Sequence, residues 1–437
     1  MDTLLIFVPK ITNRLRYTFD VVLSQLLGIK YDITTDLIRF EQRDAAKFVY
    51  GTQAIGSHPF IKSAGLLFER EIQSQELKVS DYNGIKVFFP VFDRKSMLPY
   101  DIFSAAFYLV SRYEEYLPFV ADVHGRFEAT SSCLHQHDIL RQPVVNLWSR
   151  QLAAVLTAVF PTLTITFPTY KYLPTYDIDA AWAYLHKGLY RSLGGFARDI
   201  TQFDFRELKQ RWLVISGRRK DPFDSFEFQL KLQKKYQLHP KYFILFAEYG
   251  INDKNINTRN PAFQQLIKHI ADYAEVGIHP SYGSFKNKAK LRGEIKNLSD
   301  VLNRDVTQSR QHFLRLSLPI TYQHLIDLDI TDDYSMGYAS QPGFRAGIAN
   351  SFLFYDLDHD VPTNLMIHPI TLMDGTLRDY LKQDVDQAIS TTEELNATVR
   401  AVGGTFVTLW HNESLSDEKR WKGWTNVYEK TIEMSAE

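Results

Sequence analysis

A single cysteine, Cys133, among 437 residues excludes an intrachain disulfide and a zinc site built from four thiolates. A metal in this chain must therefore be held by histidine and carboxylate. Charge of one sign is equally scarce: 50 Lys and Arg stand against 51 Asp and Glu, a formal charge of −1. No global field draws such a chain to nucleic acid or to an anionic membrane, and a neutral or small polar substrate fits better. Long apolar runs are missing too, since none approaches the ~20 residues that span a bilayer. The opening segment from Met1 to Lys10 has only five consecutive apolar residues, Leu4 to Val8, without the basic flank and long apolar stretch of a signal peptide. It reads as a first β-strand, and the expected location is cytoplasmic.

What is present is a globular composition, 45% hydrophobic and 23% charged, with no low-complexity tract. The length exceeds what one core usually organises, so two domains are expected, residues 1–165 and 166–437. In the first, apolar residues at Leu15, Phe19, Val22 and Leu26 have helical spacing and stop at Gly28. Asn83-Gly84, between Leu77–Val79 and Ile85–Phe89, supplies the positive φ angles of a tight hairpin. The apolar segments 102–116 and 144–160 read as packing helices, which makes this a smaller mixed α/β domain. Pro161 and Pro168 bracket the boundary.

Beyond it, strand-like runs alternate with helical stretches near 171–176, 242–246, 276–278, 311–314, 365–367 and 406–409, with a seventh around 334–338. Seven strands separated by helices predict an α/β fold, a partial (β/α)7 barrel or a parallel sheet, whose chemistry sits where the strands end. Polar residues stand at or near those ends: Asp177 and Asp179, then His279, His312, His368 and His411. Asp177 and Asp179 lie two apart in a strand and share a face, where they repel unless a cation or an arginine intervenes. A divalent metal on one, with the other left as a base, resolves that repulsion. The competing reading is that both cap a helix beginning near Ala180. For His368 a structural role is as good a reading as a functional one, and for His58, His124, His135 and His137 it is the better one. His279 and His411 each close a short apolar strand, which favours function.

Thr175-Tyr176-Asp177-Ile178-Asp179, Tyr242-Phe243-Ile244-Leu245-Phe246, His279, Arg310 and His411 follow one another as do the motifs of the polysaccharide deacetylases of carbohydrate esterase family four, the NodB-homology group. Residues 170–415 resemble that family. The resemblance implies a base at Asp177, held by Arg310, and a divalent metal, zinc by preference, on Asp179 and His279. It also implies a general acid at His411 and a carbohydrate substrate. The family's second motif has a further histidine four residues on, where this chain has Gly283. His312 is the first choice for the missing third ligand and His368 the second; the alternative is weak metal binding or an inactive sugar-binding protein. Tyr282 and Trp410 are candidate sugar platforms, with a backbone N–H near Tyr282 as an oxyanion donor. Arg345, Asp374 and Glu413 are further candidate substrate contacts. Segments such as Ser111-Arg112-Tyr113-Glu114-Glu115-Tyr116 and Gly343-Phe344-Arg345 resemble a Bacteroidetes-type subgroup in which an α/β domain precedes the deacetylase-like one. An assembly protein whose first domain recruits a partner is the remaining reading.

Overall fold

Leu4, Leu5 and Ile6 are fully buried, which is what a central parallel strand requires of its apolar run. In the computed structural model, which describes residues 3–436, they form β1 (Leu4–Phe7). Met1 and Asp2 lie outside the described residues. Beside β1 lie β2 (Tyr31–Thr34), β3 (Lys47–Gly51) and β4 (Phe60–Lys62), in the order β2-β1-β3-β4 with every pairing parallel. The helix read from Leu15 to Leu26 runs from Asn13, turning into a wider π-type coil at Asp20–Gln25, and Gly28 follows at φ +63°. Asn83 and Gly84, at φ +53° and +74°, turn β5 (Val79–Tyr82) into the antiparallel β6 (Ile85–Phe88). The helices Ile102–Val110 and Val144–Val159 complete this part, the first continuing into a 3-10 turn at Tyr113–Tyr116.

A second, nine-stranded sheet takes the rest of the chain: β7 (Lys171–Ile178), β8 (Lys241–Ile244), β9 (Glu275–Ile278), β10 (Gln308–Ser309), β11 (Asp332–Asp333), β12 (Phe352–Asp356), β13 (Val361–Ile367), β14 (Leu372–Met373) and β15 (Thr405–His411). Its order is β12-β13-β11-β10-β9-β8-β7-β15-β14, and only the β12–β13 pair is antiparallel. Two expected strands are displaced. The run 311–314 is a 3-10 turn in which Phe313 and Leu314 have positive φ, so the strand is the pair of residues just before it. Likewise the pairing near 334–338 is confined to Asp332–Asp333. Apolar content alone could not distinguish a strand from the buried irregular chain that follows it.

Gly277 shows how closely this sheet is packed. A Cβ there would stand 2.7 Å from the Gln308 carbonyl oxygen and 2.8 Å from the Phe243 ring, so only glycine fits beneath that ring.

The two sheets share one apolar core. Tyr355 on β12 packs against Phe107 and Tyr17 of the N-terminal part, at ring-centre distances of 5.1 and 4.9 Å. Ion pairs cross the same boundary. Arg345, 1% exposed, meets both carboxylate oxygens of Glu115 at 2.9 and 2.6 Å, and Arg112 donates to Glu115 and to the Arg345 carbonyl oxygen. Arg345 is thus a tie between the two parts of the chain and not a substrate contact. The buried Arg14 reaches Asp360 at 2.8 Å in the same way.

Candidate active site

The alternation of side chains along a strand decides what β7 and β15 present. His411 pairs in register with Asp177, and Leu409 with Thr175, so these four share one face. Trp410 and Tyr176 fall on the other face and meet the C-terminal helix Trp424–Ala436, where Trp410 lies edge-on to Tyr428 at 5.2 Å. Trp410 is fully buried there, which removes it as a sugar platform. Glu413 is also turned aside, toward Arg420 and the indole N–H of Trp421. No helix begins near Ala180: the next one starts at Leu189, so Asp177 and Asp179 are not helix caps.

The remaining strand-end residues converge. Asp179, His279 and His312 each aim one ligand atom at a common point, the three lying within 4.8 Å of one another. His279 Nε2 stands 3.2 Å from Asp179 Oδ1 and 3.6 Å from Asp177 Oδ2, and His312 Nε2 is 3.6 Å from Asp179 Oδ2. The other nitrogen of each ring is tied behind it. His279 Nδ1 lies 2.6 Å from the Arg310 carbonyl oxygen, and His312 Nδ1 lies 2.9 Å from Asp253 Oδ1. A carbonyl and a carboxylate only accept, so each Nδ1 carries the proton and donates it. In the neutral rings each Nε2 then offers a lone pair toward a carboxylate, and acceptor facing acceptor calls for a cation between them. Asp179 Oδ1 is buried without a hydrogen-bond partner, as an oxygen reserved for an ion would be. The donor set therefore fits a divalent metal, with each histidine held from behind as metal-ligating histidines usually are.

Without the ion, protons take its place. Burial works against the His312 charge, but Asp179 and Asp253 outweigh it and push His312 up to about 9. Burial would raise Asp179, yet His312 and His279 hold it well below the usual carboxylate range.

Asp177 is held differently. Arg310 Nη1 donates to its Oδ1 at 2.8 Å, while Nη2 reaches Thr175 Oγ1 at 2.7 Å and Nε the Tyr334 carbonyl oxygen at 2.9 Å. The guanidinium also rests 4.5 Å from the centre of the Phe243 ring that Gly277 admits. Asp177 is thereby fixed by its pairing with Arg310, with its second oxygen left to the site, 3.6 Å from His279 Nε2. His411 forms a dyad with Asp374, which accepts from its Nδ1 at 2.8 Å and from its backbone N–H at 2.7 Å. Burial lowers its pKa, but Asp374, Asp179 and Asp177 together push His411 up to about 10. Its Nε2 lies 3.9 Å from Asp179 Oδ2. Asp374, expected as a substrate contact, positions this histidine instead.

Two expectations at the rim change. The Tyr282 backbone N–H donates to Asp253 Oδ1 at 2.8 Å and is not free as an oxyanion donor. One face of the Tyr282 ring is covered by the Arg315 guanidinium at 3.8 Å, and its hydroxyl meets His124 Nδ1 at 3.2 Å. His124 comes from the N-terminal part, which thus supplies a piece of this wall. His368 is tied at both nitrogens, 2.7 Å from Ser351 Oγ and 2.8 Å from Asp332 Oδ1, and stands outside the cluster. Gly283 leaves its space to the Lys290 ammonium, 2.8 Å from where a Cβ would be. Asp253, which carries no strand-end signal in the sequence, lies in the loop after β8, which ends at Ile244, whereas His279 directly follows β9. Inspecting every acidic residue in the loops after the strands would have found it.

Residues 4–161 match the model of a family of unknown function (DUF7033), and no curated protein matches the chain. Solved structures resemble part of the chain. One described as a polysaccharide deacetylase from Mycobacterium smegmatis is 15% identical, with 62% of this chain and 84% of that one covered at a TM-score of 0.40. A second such protein, from Pseudomonas aeruginosa PAO1, is 11% identical over 61% and 84% at 0.38. A carbohydrate esterase family four pseudoenzyme from Bacillus anthracis is 12% identical over 62% and 66% at 0.29. Scores this low establish no common activity.

Proposed function

We propose that this chain is a metal-dependent deacetylase that removes acetyl groups from an amino-sugar-containing glycan or its precursor, with the nine-stranded sheet as the wall of a partial barrel. The observation that carries the reading is the set of histidine lone pairs turned toward Asp179, with an arginine-held carboxylate on one side and a histidine–aspartate dyad on the other. Asp179, His279 and His312 would hold the metal, with zinc favoured by the two nitrogen donors. When bound, the metal supplies Lewis acidity toward an acetyl carbonyl and acidifies water.

The chain's own groups do the rest. Asp177, held by its ion pair with Arg310, takes the proton from the attacking water. His411 is protonated at neutral pH and gives its proton to the departing amine, while Asp374 keeps its ring oriented. Gly283 favours the reading of a catalytically inactive sugar-binding protein; against it stands His312, in the turn after β10 and backed by Asp253, as a candidate third donor.

The decisive experiment measures zinc content and acetate release from N-acetylated oligosaccharides for Asp177→Asn and Asp179→Asn. Asp177→Asn should keep the metal and lose ~10²–10⁴-fold in turnover, the usual size of a general-base contribution. Asp179→Asn should lose metal and activity together. Metal binding without acetate release by the wild type would sink the enzymatic reading.

A further inference from the structure

The segment between β7 and β8 is built inside out. Its helices Leu189–Thr201 and Phe205–Ile215 face the protein largely with polar side chains: Asp199, Glu207, Gln210 and Arg211 are buried beside a single buried apolar residue, Val214, whereas Leu189, Leu193 and Phe205, and Phe203 between the helices, are 56–78% exposed. Apart from Val214, the buried inward side chains make ionic and hydrogen-bonded contacts. Arg211 pairs with Asp199 at 2.7 Å, Tyr184 donates to Glu207 at 2.8 Å, and Lys419 pairs with Glu207 at 2.6 Å. A helix that covers a core buries its apolar stripe, so this orientation makes sense only if the outer face has an apolar partner. Eight of the large apolar side chains exposed among the described residues fall within residues 189–215, too many for scattered surface exposure.

Charge identifies the partner. From Lys187 to Lys220, nine Lys and Arg stand against three Asp and Glu; Arg211 is turned inward and Arg219 and Lys220 pair with Glu418 and Glu227, while Arg206, Lys209 and Arg218 make no ion pair among the described residues and leave the outer face cationic. Two copies meeting through this face would bring like charges together, whereas an anionic lipid surface accepts both the charge and the apolar side chains. The hairpin also adjoins the site. It follows Asp179 in the chain, Arg191 stacks on Tyr249 at 4.0 Å, and the loop carrying the exposed Tyr249 and Ile251 runs into Asp253.

We propose that residues 189–215 and the loop at 249–251 dock the protein on an anionic lipid bilayer, presenting the active site to an amino sugar carried on a lipid. The docking surface stands on the hairpin alone; the substrate class rests on the deacetylase reading.

The test is flotation of the full-length protein with vesicles of phosphatidylcholine alone and of phosphatidylcholine mixed with phosphatidylglycerol. Binding should be at least about tenfold tighter to the anionic vesicles and should weaken as salt shortens the screening length. The triple substitution Leu189→Ser, Leu193→Ser and Phe203→Ser touches only exposed positions, and Arg206→Glu with Lys209→Glu reverses two charges that make no ion pair among the described residues. Each should lose at least about tenfold in binding with thermal unfolding unchanged. Failure of the wild type to float with anionic vesicles, or variants that float as well as wild type, would overturn the proposal. So would a wild-type dimer that the triple substitution makes monomeric while lipid binding is absent, because a second copy would then cover the face. Zinc content measured on the same preparations keeps the readings apart. Metal without vesicle binding removes only the docking surface; vesicle binding without metal supports that surface and removes the deacetylase reading.

Discussion

Asp253 touches neither Asp179 nor His279, yet replacing it should weaken the metal site. Its Oδ1 accepts from His312 Nδ1 at 2.9 Å and from the Tyr282 backbone N–H at 2.8 Å, so it fixes the ring that supplies the third ligand and adds negative charge behind it. Asp253→Asn preserves an accepting oxygen and removes the charge. Loss of such an outer partner typically costs ~10–100-fold in metal affinity, or about 1.4–2.7 kcal/mol. The pH dependence makes the test sharper. His312 carries a proton up to about pH 9 in the metal-free site, and coordination must displace it. Each pH unit below that value therefore weakens wild-type zinc binding by about tenfold, or about 100-fold at pH 7. Without the Asp253 charge the proton is held less tightly, so the variant's affinity should level off at a lower pH. Its deficit should be largest above pH 9 and partly offset at pH 7. Competition titration against a chromophoric chelator from pH 6 to about 9.5 measures both slopes. Equal affinity and an equal slope in the two proteins would refute the role assigned to Asp253.

His411→Ala should retain zinc and lose turnover, and the loss should shrink on acetylated substrates with better leaving groups, because a general acid matters less there. Glu115→Gln removes the charge that two buried arginines share and should cost ~3–5 kcal/mol in denaturant unfolding. Burial raises the Glu115 pKa but Arg345 and Arg112 more than reverse it. With the folded-state value lowered, the stability it contributes is present above the unfolded-state range near 4.5 and lost as pH falls below it, which unfolding midpoints across acid pH would show. A chain beginning at residue 166 leaves Arg345 without Glu115, and lower stability than the whole protein is the expected calorimetric result. Gly403→Ala puts a Cβ 1.9 Å from the Pro168 carbonyl oxygen at φ +69°; a midpoint unchanged from wild type would show that this helix end can shift freely.

The period-two logic of β7 was legible in the chain itself. Asp177 and Asp179 are expected on one face because alternate residues of a strand share it, and both stand within 3.6 Å of His279 Nε2 although β7 ends at Ile178; His279 and His411 are each read as closing a short apolar strand. The Asn83-Gly84 hairpin was equally local, since two positive φ angles in sequence determine it. Tertiary structure decided which side of each strand faces the site. Trp410 and His411 are neighbours in sequence, and the register of β15 on β7 sends one into the core and the other to Asp179. It also decided long-range partners that no spacing reveals. Asp253 stands 59 residues before His312, and Glu115 stands 230 before Arg345. A metal ligand's backing and a buried ion pair are energetic demands met by whichever chain segment the fold brings within hydrogen-bond reach. The sequence therefore specifies what must be satisfied, and packing specifies by whom.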